Sequence, residues 1–385
     1  MDVSDLRIAL FSGNYNMTTD GANKALNRLV GYLLVHGAAV RVYSPTVEHP
    51  AFEPTGDLVS VPSVAIPGRS EYRIPVSFSS RVREDITAFA PNIVHISSPD
   101  RVARQAAAWA RRRRLPVACS VHTRFETYVR YYNLSFLEPV MVAWLRKLYR
   151  KCDALIAPSE SFAQVLREQR MNYDIGIWTR GVEQGIFNPA RRDVAWRRSL
   201  GIEDDVPAIA FLGRLVMEKG LDVFADAVEV LQRRGVPHKV VVIGEGPARE
   251  WFESRLPNAN FVGFQGGEDL AHALASCDIF FNPSVTETFG NVTLEAMACG
   301  LPVVAARATG SASIVKHGQT GYLVTPGSIT GFADHLERYC RDIQLRAEHG
   351  SAAVLESGAY QWDAINQTVA DTYIRLIRQK QRRRG

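Results

Sequence analysis

The stretch Asp278-Ile-Phe-Phe-Asn282-Pro-Ser-Val-Thr-Glu287-Thr-Phe-Gly290-Asn-Val-Thr-Leu-Glu295-Ala-Met-Ala-Cys-Gly300-Leu-Pro302-Val-Val-Ala305 lays out strand, turn, helix and strand in succession. The apolar run Asp278–Asn282 reads as a buried strand. Gly290 gives a flexible entry to a helix from about Asn291, whose Ala296, Met297 and Ala298 let it pack closely on a sheet. Gly300-Leu301-Pro302 stops that helix before the next apolar run. The same alternation extends in both directions. In the first half the strand-like runs are Arg7–Gly13, Ala39–Ser44, Asn92–Ser97, Val117–Val121 and Ala154–Pro158. In the second they are Ala208–Gly213, Lys239–Gly244, Phe261–Phe264, Asp278–Asn282 and Pro302–Ala305. Such alternation predicts α/β architecture with parallel sheets. Nearly every run ends in a small or polar residue, at the carboxyl ends where open α/β sheets bind ligands.

The 385 residues suit two or three domains, and 46% hydrophobic with 22% charged residues is ordinary globular composition. Disordered, collagen-like and membrane-spanning chains are excluded, since no apolar run approaches the roughly 20 residues of a membrane helix. The start Met1-Asp-Val-Ser-Asp5 is acidic and Leu6–Phe11 is too short for a signal-peptide core. Five scattered cysteines without C-x-x-C spacing indicate neither a disulfide framework nor a zinc site. A reduced, cytoplasmic protein is expected. Gly185-Ile-Phe-Asn-Pro189 with Arg191-Arg-Asp193 reads as a linker between halves. The expected domains are 1–183, with a C-terminal helix of about 366–385 packing back on it, and 184–365. Two such halves imply a cleft between them.

Two motifs carry chemistry. Gly213-Arg-Leu215 followed by Glu218-Lys-Gly220 places two cations at a strand-to-helix turn, beside the positive end of the helix starting near Leu221. That is a phosphate site. In the opening stretch, free amides at the start of the helix near Asn291 can bind an anion. Glu287 before that helix and Glu295 one turn along it can accept hydrogen bonds from vicinal hydroxyls, as on a sugar and a ribose.

These segments, with Val242-Ile-Gly-Glu-Gly-Pro247, Phe264 and Gly318-Gln-Thr-Gly-Tyr-Leu-Val324, resemble the family-4 retaining glycosyltransferases of the GT-B fold. The resemblance covers nearly the whole chain and is nearest to the lipid-glycosylating branch, such as sulfoquinovosyl- and mannosyl-lipid synthases. It implies two Rossmann-like domains facing each other across a cleft, with a nucleoside-diphosphate sugar on the C-terminal one. Arg214 and Lys219 would neutralise the donor pyrophosphate, Glu295 would hold the ribose and Glu287 the transferred sugar. Phe289, Gly290 and Asn291 would offer amides, while Gly213, Gly244 and Phe264 would line the phosphates and base. Thr18-Thr-Asp-Gly-Ala22, before a helix from about Asn23 to His36, resembles the family's glycine-containing loop. It has one glycine, Gly21, where many members have two adjacent. His122, in Ser120-Val-His-Thr123, matches the family's cleft histidine, and Arg124 beside it could meet a carboxylate or phosphate. Gly310-Ser-Ala-Ser-Ile-Val315 lacks the glutamate that many relatives carry there. No Asp-x-Asp stands at a strand end, so no metal and no resident cofactor is expected.

Between Arg101 and Lys151 twelve Arg or Lys oppose Glu126 and Glu138, although the whole chain carries only +5. Such a patch suits nucleic acid, an anionic membrane or a phosphorylated ligand. The run Glu138–Lys151 reads as a helix with Val140, Trp144 and Leu148 on one stripe. Arg146, Lys147, Arg150 and Lys151 cluster elsewhere on it, and Arg111, Arg112, Arg113 and Arg114 add four cations. Phe125, Tyr128, Tyr131, Tyr132 and Phe136 interleave with the charges. Basic plus aromatic surface favours a lipid acceptor at an anionic membrane, on its cytoplasmic face. No nucleic-acid motif accompanies the charge. The expected activity is transfer of a hexose or uronic acid from a UDP-sugar or GDP-mannose to a lipid-like hydroxyl. A nucleotide-sugar epimerase of the same fold, or transfer to a soluble acceptor, are the alternatives. A dinucleotide-dependent dehydrogenase is disfavoured, because Gly13-Asn-Tyr-Asn-Met17 lacks G-x-G-x-x-G.

Overall fold

A computed structural model describes residues 1–18, 20–66, 69–124, 135–308 and 310–383. The chain divides into two compact units. One comprises residues 1–179 and 362–385, the other 180–361. The division therefore falls at Thr179/Arg180 and Gln361/Trp362 rather than at 183/184 and about 366.

The first unit holds strands β1 (Arg7–Phe11), β2 (Ala39–Ser44) and β3 (Asp57–Ser60), and the antiparallel pair β4 (Ser63–Ile66) and β5 (Arg69–Pro75). It continues with β6 (Ile93–Ile96), β7 (Val117–Ser120), β8 (Ala154–Ala157) and β9 (Ile175–Ile177). Seven of these form a parallel sheet in the order β3-β2-β1-β6-β7-β8-β9. Apart from Arg7 at the start of β1, its central strands are buried, as expected of a parallel sheet covered on both faces. Helices begin at residues that cap them: Asp20, Ser79, Asp100 and Ser159 each accept a backbone N–H in the following turn. The C-terminal helix Trp362–Arg382 belongs to this unit and buries Asn366, Val369, Ala370 and Tyr373, a heptad-spaced stripe.

The second unit holds β10 (Ala208–Leu212), β11 (Lys239–Ile243), β12 (Asn260–Gly263), β13 (Ile279–Asn282), β14 (Val303–Ala306) and β15 (Gly321–Val324). They form a parallel sheet in the order β12-β11-β10-β13-β14-β15. The segment expected as a free linker is part of this body. Phe187 and Val182 are buried in its core, and residues Pro189–Arg191 form a 3-10 turn. Further on, Arg197, only 1% exposed, donates to Asp278 Oδ2 at 2.8 Å, Ser276 O at 2.7 Å and Val206 O at 2.9 Å. Asp278 Oδ2 also accepts from Ala208 N–H at 2.8 Å. One buried, fully hydrogen-bonded ion pair thus holds the beginnings of β10 and β13 in register.

Candidate functional site

In the second unit the order of strand addition reverses between β10 and β13, which are hydrogen-bonded neighbours. The carboxyl ends at such a switch point form the crevice where open sheets bind ligands. The loops there are shaped by glycines. A Cβ on Gly244 (φ +142°) would stand 2.0 Å from Gly213 O, and one on Gly246 would stand 2.4 Å from Leu215 O. Two loops therefore lie backbone on backbone, with Gly213 N–H donating to Ile243 O and Leu215 N–H to Glu245 O. Beyond them, Gly220 (φ +74°) ends the 3-10 turn Met217–Lys219 and opens the helix Leu221–Arg233 against Pro283. That contact brings the two sequence motifs together: Lys219 Nζ lies 3.1 Å from Glu287 Oε1.

Gly290 (φ +102°) caps the helix Asn291–Ala298, whose first amides have no acceptor inside the helix. Asn282 Nδ2 donates to Thr293 Oγ1 at 3.1 Å, tying the end of β13 to that helix. Asn291 Oδ1 is buried and meets no hydrogen-bond donor among the described residues. Phe289 is buried with its ring edge-on to Tyr360, Glu295 is half-buried one turn into the helix, and Arg214 is exposed in the loop after β10. Phe264 follows β12 and is 75% exposed. The carboxyl ends of β11, β10 and β13 thus carry Gly244, Gly213, Arg214, Lys219, Glu287, Phe289, Gly290, Asn291 and Glu295.

The first unit has its own switch point, between β1 and β6. After β1, Asn14 Nδ2 donates to Thr18 Oγ1 at 2.7 Å and Thr18 Oγ1 donates to Asp20 Oδ2 at 3.0 Å. Asp20 caps the helix Gly21–Val35, so Gly21 is the first helical residue rather than part of a free loop. After β6, Ser98 Oγ donates to Asp100 Oδ2, and Asp100 Oδ1 accepts from Ala103 N–H at 2.8 Å. Burial pushes the Asp100 carboxyl up against the lowering effect of those hydrogen bonds. His122 stands two residues past β7, with Nε2 at 2.8 Å from Ser120 Oγ and its ring edge-on to Trp178 at 5.5 Å. Arg124 is half-buried beside it.

The family models described as Glycosyltransferase Family 4 and as Glycosyl transferases group 1 match residues 19–184 and 206–342. The chain belongs to the family-4 glycosyltransferases. It is 33% identical over 302 residues to a sulfoquinovosyl transferase of Arabidopsis thaliana, covering 76% of this chain and 58% of that protein. It is 28% identical over 384 residues to a GDP-mannose-dependent alpha-mannosyltransferase of Corynebacterium glutamicum, covering 99% and 91%. The fold matches that of a sucrose-phosphate synthase from Thermosynechococcus elongatus, with TM-score 0.77 and 20% identity over 96% of this chain and 98% of the other. Both Rossmann-like units are those of a GT-B glycosyltransferase.

On the basic face this family-4 glycosyltransferase departs from the expected pattern in two ways. The stripe Val140-Trp144-Leu148 is split. The helix Glu138–Tyr149 buries Leu145, Leu148 and Tyr149, whereas Val140 is 64% and Trp144 40% exposed. The cations are split too. Arg146 Nε donates to Gln169 O at 2.9 Å and Arg150 Nε to Arg170 O at 3.0 Å, so both satisfy carbonyls at the end of the helix Glu160–Glu168. Arg111 donates to Lys151 O at 3.3 Å, and Arg113 lies over the Trp109 ring. Arg112, Lys147 and Lys151 are exposed, as are Phe136, Val140 and Trp144, with Lys147 on the same helix as Val140 and Trp144. Arg104 stacks on the Trp144 ring at 4.0 Å, a contact the sequence pattern missed. Phe125, Tyr128, Tyr131 and Tyr132 lie outside the described residues. No helix among the described residues is long and apolar enough to cross a membrane.

Proposed function

We propose that this chain transfers a hexose or related sugar from a nucleoside-diphosphate donor to a hydroxyl of a lipid-like acceptor, with retention of anomeric configuration. The observation that carries it is the junction of Lys219 with Glu287 at the β10/β13 switch point, beside the amino end of the helix Asn291–Ala298. An ammonium, a nearby exposed guanidinium and free helix amides recognise a diphosphate. Two carboxylates recognise hydroxyls: Glu295 those of the ribose, Glu287 those of the transferred sugar. Pairing with Lys219 orients Glu287.

In the proposed reaction the acceptor hydroxyl attacks the anomeric carbon from the face the diphosphate leaves. The bond from that carbon to the leaving oxygen breaks, the new glycosidic bond forms, and a phosphate oxygen takes the acceptor's proton. Arg214 and Lys219 offset the charge that builds on the departing diphosphate, the largest contribution such a site makes. The lipid-like acceptor is supported by the similarity to a sulfoquinovosyl transferase and by exposed Val140 and Trp144 on the same helix as exposed Lys147. That face would hold the enzyme on the anionic inner surface of the membrane.

A thermal-shift panel of UDP, GDP, UDP-glucose, UDP-glucuronate and GDP-mannose tests the donor. Stabilisation by one nucleoside diphosphate and its sugar is expected, lost in Lys219→Ala. No stabilisation by any of them would overturn the proposal.

A further inference from the structure

His122 belongs to a hydrogen-bond chain that begins, buried, on the C-terminal helix. The hydroxyl of Tyr373 lies 2.5 Å from His95 Nδ1, His95 Nε2 lies 2.8 Å from Ser120 Oγ, and Ser120 Oγ lies 2.8 Å from His122 Nε2. Tyr373 and His95 are fully buried and Ser120 is nearly so. All four residues belong to the first unit.

The direction of the chain follows from its far end. Among the described residues the Tyr373 hydroxyl has one polar neighbour, His95 Nδ1. If it accepted there, its own proton would be buried without a partner, which is costly. It therefore donates, and Nδ1 accepts. Burial keeps the His95 imidazole neutral, its pKa pushed down to about 3. A neutral ring that accepts at Nδ1 carries its proton on Nε2. That proton goes to Ser120 Oγ, and the serine proton passes on to the remaining neighbour, His122 Nε2. His122 accepts at Nε2 and, when neutral, holds its proton on Nδ1.

The same helix supports the ring a second time. Trp178 packs edge-on against His122, and its indole N–H donates to Asn366 Oδ1 at 3.2 Å. Asn366 and Tyr373 share the buried stripe of the helix Trp362–Arg382.

We propose that Tyr373, His95 and Ser120 are positioning residues that fix the Nδ1–H tautomer of His122, so that it offers a neutral hydrogen-bond donor to a substrate oxygen. The proposal rests on the transferase reading and on the match of His122 to the family's cleft histidine. A donor that bears no charge can hold a sugar or acceptor hydroxyl without attracting a diphosphate.

Long-range proton–nitrogen NMR correlation on histidine-labelled protein tests the relay directly. His95 should carry its proton on Nε2 and His122 on Nδ1. Ser120→Ala, which leaves the C-terminal helix untouched, should keep the His95 tautomer and release that of His122. Turnover should fall roughly tenfold, as for one lost hydrogen bond, with donor KM unchanged. Tyr373→Phe should release both tautomers. A wild-type His122 protonated on Nε2, or one whose tautomer ignores both substitutions, would overturn the relay. The predicted tautomers together with full turnover in His122→Ala would overturn the role of His122. Neither result would touch the transferase reading, because nucleotide binding through Lys219 is measured separately.

Discussion

Both units carry polar residues at the carboxyl ends of parallel strands and make opposite use of them. At the β10/β13 switch the groups are charged and glycines shape the turns: Lys219 pairs with Glu287, Arg214 is exposed, Gly244 lies against Gly213 O, and Gly290 at φ +102° opens the helix Asn291–Ala298. Past β7 in the first unit, the groups behind His122, namely Ser120, His95 and Tyr373, are uncharged and buried, and hydroxyls and imidazoles form a line of hydrogen bonds. One parallel architecture therefore serves two chemistries. Charge suits a diphosphate, whose negative charge grows as it leaves; neutral donors suit hydroxyls, which must be held without being ionised.

The strongest way to break this contrast is to remove the charge. Lys219→Ala should lower turnover by about 10² to 10³, the loss of roughly 3–4 kcal/mol of transition-state stabilisation. Its stability should change by less than about 1 kcal/mol, because the residue is partly exposed at a loop. Steady-state kinetics beside urea unfolding checks both halves, and turnover within twofold of wild type would end the assignment.

Glu295→Ala and Glu287→Ala sharpen it further. Loss of Glu295 should weaken binding of the free nucleotide by about 1.5–3 kcal/mol, the value of hydrogen bonds to a charged group. Loss of Glu287 should spare nucleotide affinity and reduce transfer. Calorimetry with the bare nucleoside diphosphate separates the two, and equal effects would erase the distinction between ribose and sugar carboxylates.

The neutral side should show itself in pH dependence. Among the described residues His95 faces the hydroxyls of Tyr373 and Ser120 and no charged group, and burial lowers its pKa to about 3. An unfolded histidine binds a proton below about 6.5. The unfolded chain therefore holds more protons between these values, so this contribution to stability is complete above the unfolded value and declines as pH falls. From pH 7 to pH 5 the loss should be about 2 kcal/mol. Burial also lowers His238, His335 and His349 in the other unit, so the difference in slope between wild type and His95→Gln isolates the effect. Identical slopes would mean that His95 titrates in the fold.

The contrast also governs what could be read from sequence. The charged site was legible because glycine and proline fix its turns: the helix begins at Asn291 and Gly220 opens the next one, as the residues imply. The sheets were legible where strands are apolar. Edge strands were not: Asp57–Ser60 is short and half-exposed, and Ile175–Ile177 carries a glycine. The relay was hidden because its members lie far apart in the chain. The available signal was a histidine in the middle of the apolar run Asn92-Ile-Val-His-Ile-Ser97, where only a hydrogen-bonded imidazole is tolerated. Gly185–Pro189 looked like a linker because Asn-Pro interrupts regular structure, yet Phe187 buries its ring in the second unit.

The smallest effect per residue belongs to the basic face, where the sequence grouped cations that the structure separates. Arg146 and Arg150 serve backbone carbonyls of their own unit, while Arg112, Lys147 and Lys151 are exposed, as are Trp144 and Val140. Replacing Arg111, Arg112, Arg113 and Arg114 with Gln should weaken co-sedimentation with anionic liposomes by at most about 1 kcal/mol per residue. The total should fall short of four such increments, since Arg111 is tied to Lys151 O and Arg113 to Trp109. Salt should mimic the substitution by screening, and nucleotide binding should be unaffected. Arg146→Gln makes the opposite expectation: about 1 kcal/mol less stability from the lost hydrogen bond and unchanged liposome binding. If Arg146→Gln released the protein from liposomes while the fourfold variant stayed bound, the division between structural and lipid-facing cations would be reversed. If wild type failed to bind anionic liposomes at low salt, the acceptor would be a soluble one.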